Sequence, residues 1–456
     1  MLRRGCVLII ILKNVKLVKE DNTIISADIV AENGIIAEIC EAADYTPGKS
    51  PAAGDEDTTV SAGSVNENSR AGNCEVIDCG GRLLMPGFID AHVHLREPGF
   101  EQKETVRTGT MAAAAGGFTT VFPMPNLKPV PDNPDIMKEY IEKINREKVV
   151  NVLPYASITM GEKGQQVVDM KSLLSAGAIA FSDDGVGVQS DEVMLKAMKA
   201  AASQDTIIVA HTEDNSLKNA GCVHQGEYAE KMGWRGIPSA CEYAQAERDI
   251  KLAEETGCRY HICHVSAKET IELVRKAKKE GLKVTCEITP HHLTLIDEDV
   301  KDANGKMNPP LRSRADRDAL VEAIKDGTAD IVATDHAPHT KEEKSRAIET
   351  APFGIVGLET AFPVLYTKLV RTGMITLKRL QEVMSEVPAE IFGLKNTGRI
   401  KEGMNADLVL IDTDTEYSIN PEEFKSMGKN TPYGGEKVFG KILLTMVGGN
   451  IVYDVR

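Results

Sequence analysis

Between residues 84 and 335 the chain repeats one pattern eight times: a short apolar run that fits a buried strand, then a longer stretch with helical spacing of its apolar residues. The strand-like runs are 84–94, 119–125, 151–158, 178–183, 206–211, 259–264, 283–289 and 330–335. Helices are expected between them, among others over 102–115, 191–202, 240–255 and 268–280. Alternating strand and helix implies parallel strands covered on both faces. Eight such units over about 250 residues match a closed α/β architecture, the (β/α)8 TIM barrel. The other arrangement of this class is a doubly wound open sheet, but no GxGxxG turn follows the first long strand.

The flanks read differently. Residues 7–18, 22–31 and 34–40 are strand-like, and so are "GRIKEGMNADLVLID" (398–412) and "GKILLTMVGGNIVYDV" (440–455). These two ends are expected to form a small β-domain from residues 1–83 plus 395–456, beside a barrel domain over 84–394. Residues 41–73 are rich in small and polar types without apolar periodicity, which marks a surface insertion in that β-domain. The apolar run at 7–12 follows two arginines but is too short for a targeting segment, and the expectation there is a strand. No run approaches membrane-spanning length.

Composition narrows the function classes. A formal charge of −15 and a single tryptophan, Trp234, oppose a nucleic-acid platform or an anionic membrane as partner. Nine cysteines without a CxxC pair read as reduced thiols of a cytoplasmic protein.

The chemistry lies at the strand ends. His92 and His94 end the first barrel strand, Asp183 and Asp184 the fourth, His211 the fifth, His264 the sixth and Asp335 the eighth. In a barrel all these ends open on one face, where barrel enzymes place their sites. Residues i and i+2 of a strand point the same way, so His92 and His94 can grip one ion. Imidazole and carboxylate donors suit zinc with a position left open. One histidine at a strand end is more often a satisfied polar residue, and an Asp before Gly is usually a turn residue. Five strands of one barrel all ending in ligand-type side chains are much harder to explain that way. Arg96, two residues beyond the histidine pair, is placed to take a carboxylate bidentately at the mouth.

The segments "GFIDAHVHLREPG" (87–99), "FSDDG" (181–185), "HTEDN" (211–215), "CHVS" (263–266) and "ATDHAPH" (333–339) resemble the cyclic amidohydrolases. Within them the chain is most similar to the dihydroorotases of the long bacterial type, over residues 80–455 apart from the insertion. The resemblance implies that His92, His94 and Asp335 hold the more buried zinc. His211 and His264 hold a second zinc, and Asp184 bridges the pair, with Asp183 as a turn or supporting residue. One or two zinc ions per subunit are expected, with two favoured. Hydantoinases, allantoinases and short dihydroorotases carry a carbamylated lysine after strand four, whereas "GAIAFSDDGVG" has no lysine.

The resemblance also assigns Asn126 and His339 as partners of Arg96 at the substrate carboxylate; Asn308, after the seventh strand, reads either as a hydrogen-bond partner of the pyrimidine ring or as a plain loop asparagine. Leu127 stands where the family usually has threonine. Glu213 is expected to support His211, and His291 and His292 to pack behind the site; His224 and His261 have no assigned partner. The implied reaction is the reversible cyclisation of N-carbamoyl-L-aspartate to L-dihydroorotate in pyrimidine biosynthesis, with zinc activating water and Asp335 carrying the proton. Its alternatives are a hydantoinase- or dihydropyrimidinase-like amidohydrolase, disfavoured by Arg96 and the missing lysine, and a non-catalytic scaffold for aspartate transcarbamoylase, disfavoured by the full ligand set. The expected partners are the small-molecule substrate and a second copy in a homodimer; association of an active enzyme with aspartate transcarbamoylase stays open.

Overall fold

The structure is a computed structural model and describes residues 8–41 and 73–456. Apart from its end residues, the insertion expected over 41–73 lies outside the described residues. Two-residue pairs aside, four strands come first: β1 (Leu8–Val18), β2 (Ile24–Glu32), β3 (Ile35–Glu41) and β4 (Asn73–Pro86). Seven short strands follow: β5 (Phe88–Val93), β6 (Phe118–Pro123), β7 (Asn151–Val152), β8 (Ile207–Ala210), β9 (Arg259–Ile262), β10 (Val284–Ile288) and β11 (Ile331–Val332). The last three are β12 (Leu408–Asp412), β13 (Lys441–Val447) and β14 (Asn450–Asp454).

The two ends of the chain share one seven-stranded sheet in the order β14-β13-β12-β4-β1-β2-β3. Its apolar layer includes Ile10, Leu12, Ile29, Leu84, Leu408 and Leu444, all buried. The run expected as one strand over 84–94 is two strands. Leu84 pairs with Leu410 in this sheet, the backbone turns at Gly87, and Phe88 pairs with Phe118 in the barrel. Both halves are apolar because both face a core, so hydrophobicity alone does not mark the break.

The barrel strands run parallel in two ladders, β5-β6-β7 and β8-β9-β10-β11. Single parallel bridges close the ring, Val93 to His336 on one side and Ala156 to Phe181 to Ile208 on the other. The fourth stave, expected over 178–183, is thus a strand held by bridges rather than a ladder. Its Asp183 carboxylate accepts the backbone N–H groups of Ile158 (2.7 Å) and Thr159 (3.1 Å), a side-chain acceptor added beside the Ser182 carbonyl, which also takes the Ile158 N–H at 3.3 Å. Ile89, Ala91, Phe122, Tyr155, Val209 and Ile331 fill the interior together with Phe392, and the Tyr155 hydroxyl donates to the Ala91 carbonyl at 2.9 Å.

The helices outside obey elementary rules. Lys268–Lys279 buries Thr270, Ile271, Val274 and Ala277 and ends in three lysines that complement its dipole. The helix expected from residue 102 starts at Val106, because Thr105 and Thr108 form a reciprocal cap.

Candidate active site

A cavity of about 170 Å³ opens at the C-terminal ends of the barrel strands, walled by His94, Arg96, Asn126, Asp184, His211, His264, Asn308 and Asp335 among others. All but one of the residues read from the sequence as site residues reach this cavity or its floor. His92 forms the floor and is fully buried.

Two carboxylates sit among four imidazoles. Asp335 Oδ1 lies 3.0 Å from His94 Nε2 and 3.5 Å from His92 Nε2. Asp184 Oδ1 lies 3.4 Å from His92 Nε2 and 3.6 Å from both His211 Nδ1 and His264 Nε2. Asp184 Oδ2 is 3.5 Å from His94 Nε2, and the rings of His211 and His264 meet with 2.9 Å between Nδ1 and Nε2. Asp183 points the other way and is saturated by Ile158 and Thr159. Of the two adjacent aspartates, only Asp184 faces the imidazoles.

The arrangement fits a divalent cation. His92, His94 and Asp335 offer donor atoms within 4.8 Å of one another, and so do His92, Asp184 and His264. His92 Nε2 and Asp184 Oδ1 are buried and have no hydrogen-bond partner. Two orphaned buried donors facing each other carry a desolvation cost that a metal ion would remove. A set made of imidazole nitrogens and carboxylate oxygens matches zinc chemistry.

The field of the site is negative. Burial opposes charge on His92, yet Asp184 and Glu287 outweigh it and raise that ring well above the ordinary imidazole range. Burial likewise opposes charge on His211, but Asp184 and Glu213 lift it to about 9. Glu213 resists burial through His211 and Lys218 and falls to about 2. His94 is shifted the other way, by burial and by the neighbouring Arg96.

Arg96 stands on the cavity wall with its Nε donating to the Pro338 carbonyl at 3.3 Å. Its φ is +63°, and His264 and Asp335 have φ of +33° and +49°. Three non-glycine residues in the left-handed region, all on one rim, mark backbone held by its surroundings at a functional site. Asn126 accepts from His94 Nδ1 at 3.0 Å and reaches Asp184 Oδ2 at 3.4 Å, so it orients two candidate ligands as well as facing the cavity. Asn308 donates to Glu213 at 3.3 Å beside His211. His339 is the residue that does not reach the cavity. It packs behind Arg96 with 3.5 Å between Nη2 and Nε2, and its Nε2 donates to the Phe353 carbonyl at 2.7 Å. Burial, then Arg96 and Lys103, push its ring down to about 3, so it is a neutral imidazole.

Two contributors went unread in the sequence. Glu287, fully buried, holds His92 Nδ1 at 2.6 Å and fixes which nitrogen faces the cavity. Its other oxygen meets His261 Nε2 at 3.2 Å, which supplies the partner His261 lacked. A lone glutamate inside the apolar run "VTCEI" was the available signal. Lys218, bound to Glu213 at 2.8 Å, completes the wall from a loop, where no spacing pattern points to it. His224 meets Arg312 and His292 meets Thr289 and Pro309, whereas the buried Nε2 of His291 has no hydrogen-bond partner.

A closed barrel with this cluster of histidines and aspartates and a flanking β-sheet places the chain in the class of the cyclic amidohydrolases. The L-hydantoinase (dihydropyrimidinase) from Arthrobacter aurescens superposes with a TM-score of 0.82 at 28% identity, over 98% of this chain and 96% of that one. The dihydropyrimidinase from Brevibacillus agri NCHU1002 shares the fold at a TM-score of 0.79 and 22% identity. Within the class, residues 81–270 match the family described as "Dihydro-orotase-like". The dihydroorotase of Geobacillus kaustophilus is 56% identical over 401 residues, covering 88% of this chain and 94% of the relative. That of Bacillus cytotoxicus is 50% identical over 444 residues, 97% of each. The chain belongs to the dihydroorotase family.

Proposed function

We propose that the chain is a zinc-dependent dihydroorotase whose cavity closes N-carbamoyl-L-aspartate to L-dihydroorotate and reopens it. The observation that carries the substrate is Arg96. It puts a guanidinium on the wall of a cavity sized for one small ring, facing the cluster of His92, His94, Asp184 and Asp335. Dihydroorotate bears a ring carboxylate, which hydantoin and dihydropyrimidine lack.

His92, His94 and Asp335 would hold one zinc, His211 and His264 a second, and Asp184 would lie between them. When bound, zinc polarises the ring carbonyl and lowers the pKa of water to about 7. The chain's own residues do the rest. Arg96 and the free amide hydrogen of Asn126 take the carboxylate and fix the ring, while Asn308 faces the ring from the opposite wall. His339 supports Arg96 from behind; touching the carboxylate itself would require giving up its bond to Phe353. In ring opening, water adds to the carbonyl carbon and its proton passes to an Asp335 oxygen. The carbon–nitrogen bond breaks, and Asp335 returns that proton to the departing ring nitrogen. In cyclisation Asp335 takes the proton from the carbamoyl nitrogen as it attacks the carboxyl group, then passes that proton to the departing hydroxyl, which leaves as water.

Purified protein is assayed on carbamoyl-aspartate, dihydroorotate and dihydropyrimidine alongside zinc analysis. Turnover of the carboxylated pair with zinc in the protein is expected. Turnover of only the uncharged ring would overturn the substrate assignment.

A further inference from the structure

We infer that Asn430, which lies outside the barrel strands in the segment leading to the last two sheet strands, is a positioning residue for the carboxylate-binding wall. The inference rests on the reading above that Arg96 takes the substrate carboxylate.

Asn430 is 3% exposed, and its amide is spent on two segments that face the cavity. Nδ2 donates to the Ala337 carbonyl at 3.1 Å and to the Gly354 carbonyl at 3.0 Å. Oδ1 accepts from the backbone N–H of His339 at 3.1 Å. The backbone carbonyl of Asn430 also accepts from Val356 at 2.9 Å. Ala337 and Gly354 line the cavity. Between the two pinned residues, 337 and 339, stands Pro338, whose carbonyl receives Arg96 Nε. Asn430 therefore fixes the acceptor that aims the guanidinium.

The chemistry is specific to an amide, which supplies an acceptor and two donors in one plane. A carboxylate at this position would face two carbonyl oxygens, and an apolar side chain would orphan two buried groups, the Ala337 carbonyl and the His339 N–H. The fit of the segment is as tight as its bonding. A Cβ on Gly428 would lie 2.7 Å from Pro338 Cβ and 2.8 Å from Asn430 Oδ1. A Cβ on Gly354, already at φ +121°, would lie 2.6 Å from Ala337 Cβ.

The segment has its own anchor at the other end, where Lys425 and Ser426 N–H groups bind the Glu359 carboxylate at 2.7 and 3.2 Å. Gly354 has a second hold in Lys344, whose Nζ donates to the same carbonyl at 2.8 Å. Loss of the Asn430 amide should thus loosen residues 337–339 and with them Arg96, leaving the metal ligands and the fold in place.

The test compares Asn430→Asp, Gly428→Ala, Arg96→Lys and the Arg96→Lys/Asn430→Asp double variant, with melting temperature and metal content measured for each. Gly428→Ala displaces the same clamp without removing a hydrogen bond and serves if Asn430→Asp folds poorly. Both clamp variants are expected to raise KM for dihydroorotate about tenfold to hundredfold, with kcat and metal content within about threefold of the parent. The double variant should fall within about threefold of the worse single one, because the two residues act on one contact. A clamp that lowers kcat at unchanged KM, or effects that multiply in the double variant, would overturn the inference. If Arg96→Lys alone raises KM and the clamp variants do not, the inference falls and the carboxylate reading stands. If Arg96→Lys leaves KM unchanged, the carboxylate reading falls and takes the inference with it.

Discussion

Glu287→Gln isolates a single charge beneath the metal-binding cluster. Glu287 Oε1 receives His92 Nδ1 at 2.6 Å and the His264 backbone N–H at 3.2 Å, and Oε2 meets His261 Nε2 at 3.2 Å. A glutamine can keep its oxygen on His92 and His264 and turn its amide nitrogen to His261. His261 can then change tautomer, because its other nitrogen faces the Thr285 hydroxyl at 2.8 Å, which donates or accepts. Shape is preserved and the negative charge is lost. A buried hydrogen bond to a charged group contributes about 1.5–3 kcal/mol. With about 1.4 kcal/mol per tenfold, metal affinity should fall about tenfold to hundredfold, the range typical of outer partners of metal-bound histidines. The assay is zinc competition against a chromophoric chelator, with circular dichroism to verify the fold. An affinity within about threefold of the parent would show that Glu287 orients His92 without strengthening it as a donor.

Asp335→Asn should retain the melting behaviour of the parent and lose about 10²–10⁴ in kcat, and a near-parental rate would remove Asp335 from the proton path. Dialysis against a chelator should abolish turnover, and adding zinc back should restore it; activity that survives complete metal removal contradicts the metal reading. Asp249 offers a pH test away from the site. Burial pushes its carboxyl up to about 6 despite Arg248 and Tyr260. The folded form therefore binds this proton more tightly than the unfolded chain. Its stabilising effect is complete below about pH 4 and is lost as pH rises through 6, on the order of 3 kcal/mol. Urea midpoints at pH 4 and 6.5 should show that part of the slope missing in Asp249→Asn, and parallel slopes would refute the assignment.

Much of the site was legible because its ligands obey a positional rule. Strands end in polar residues only where something polar waits, and five barrel strands of this chain do so. The choice between Asp183 and Asp184 was not legible, since alternation fails once a strand stops; it depends on the Ile158 and Thr159 N–H groups, which come from a different stave. The division at Gly87 was hidden by two adjoining cores of equal hydrophobicity. His339 illustrates another limit: the resemblance placed it at the substrate carboxylate beside Arg96, and the Phe353 carbonyl that holds its Nε2 comes from a loop with no periodic signal. Asn430 was unreadable for the same reason, as an asparagine among turn residues 91 positions from its partner His339.

The seam between Val93 and His336 sets the order in which this site can come into being. His92 and Asp335 stand on either side of that seam, at opposite ends of the barrel sequence. A chain emerging from the ribosome up to residue 330 already carries five of the six candidate ligands, but they have no ring to hold them in one place. Tight metal capture thus becomes available only when the last stave docks on the first, and the wall that faces the substrate waits longer still, until residue 430 arrives. Metal retention in this protein should report a completed fold, and a partly made chain should compete poorly for metal.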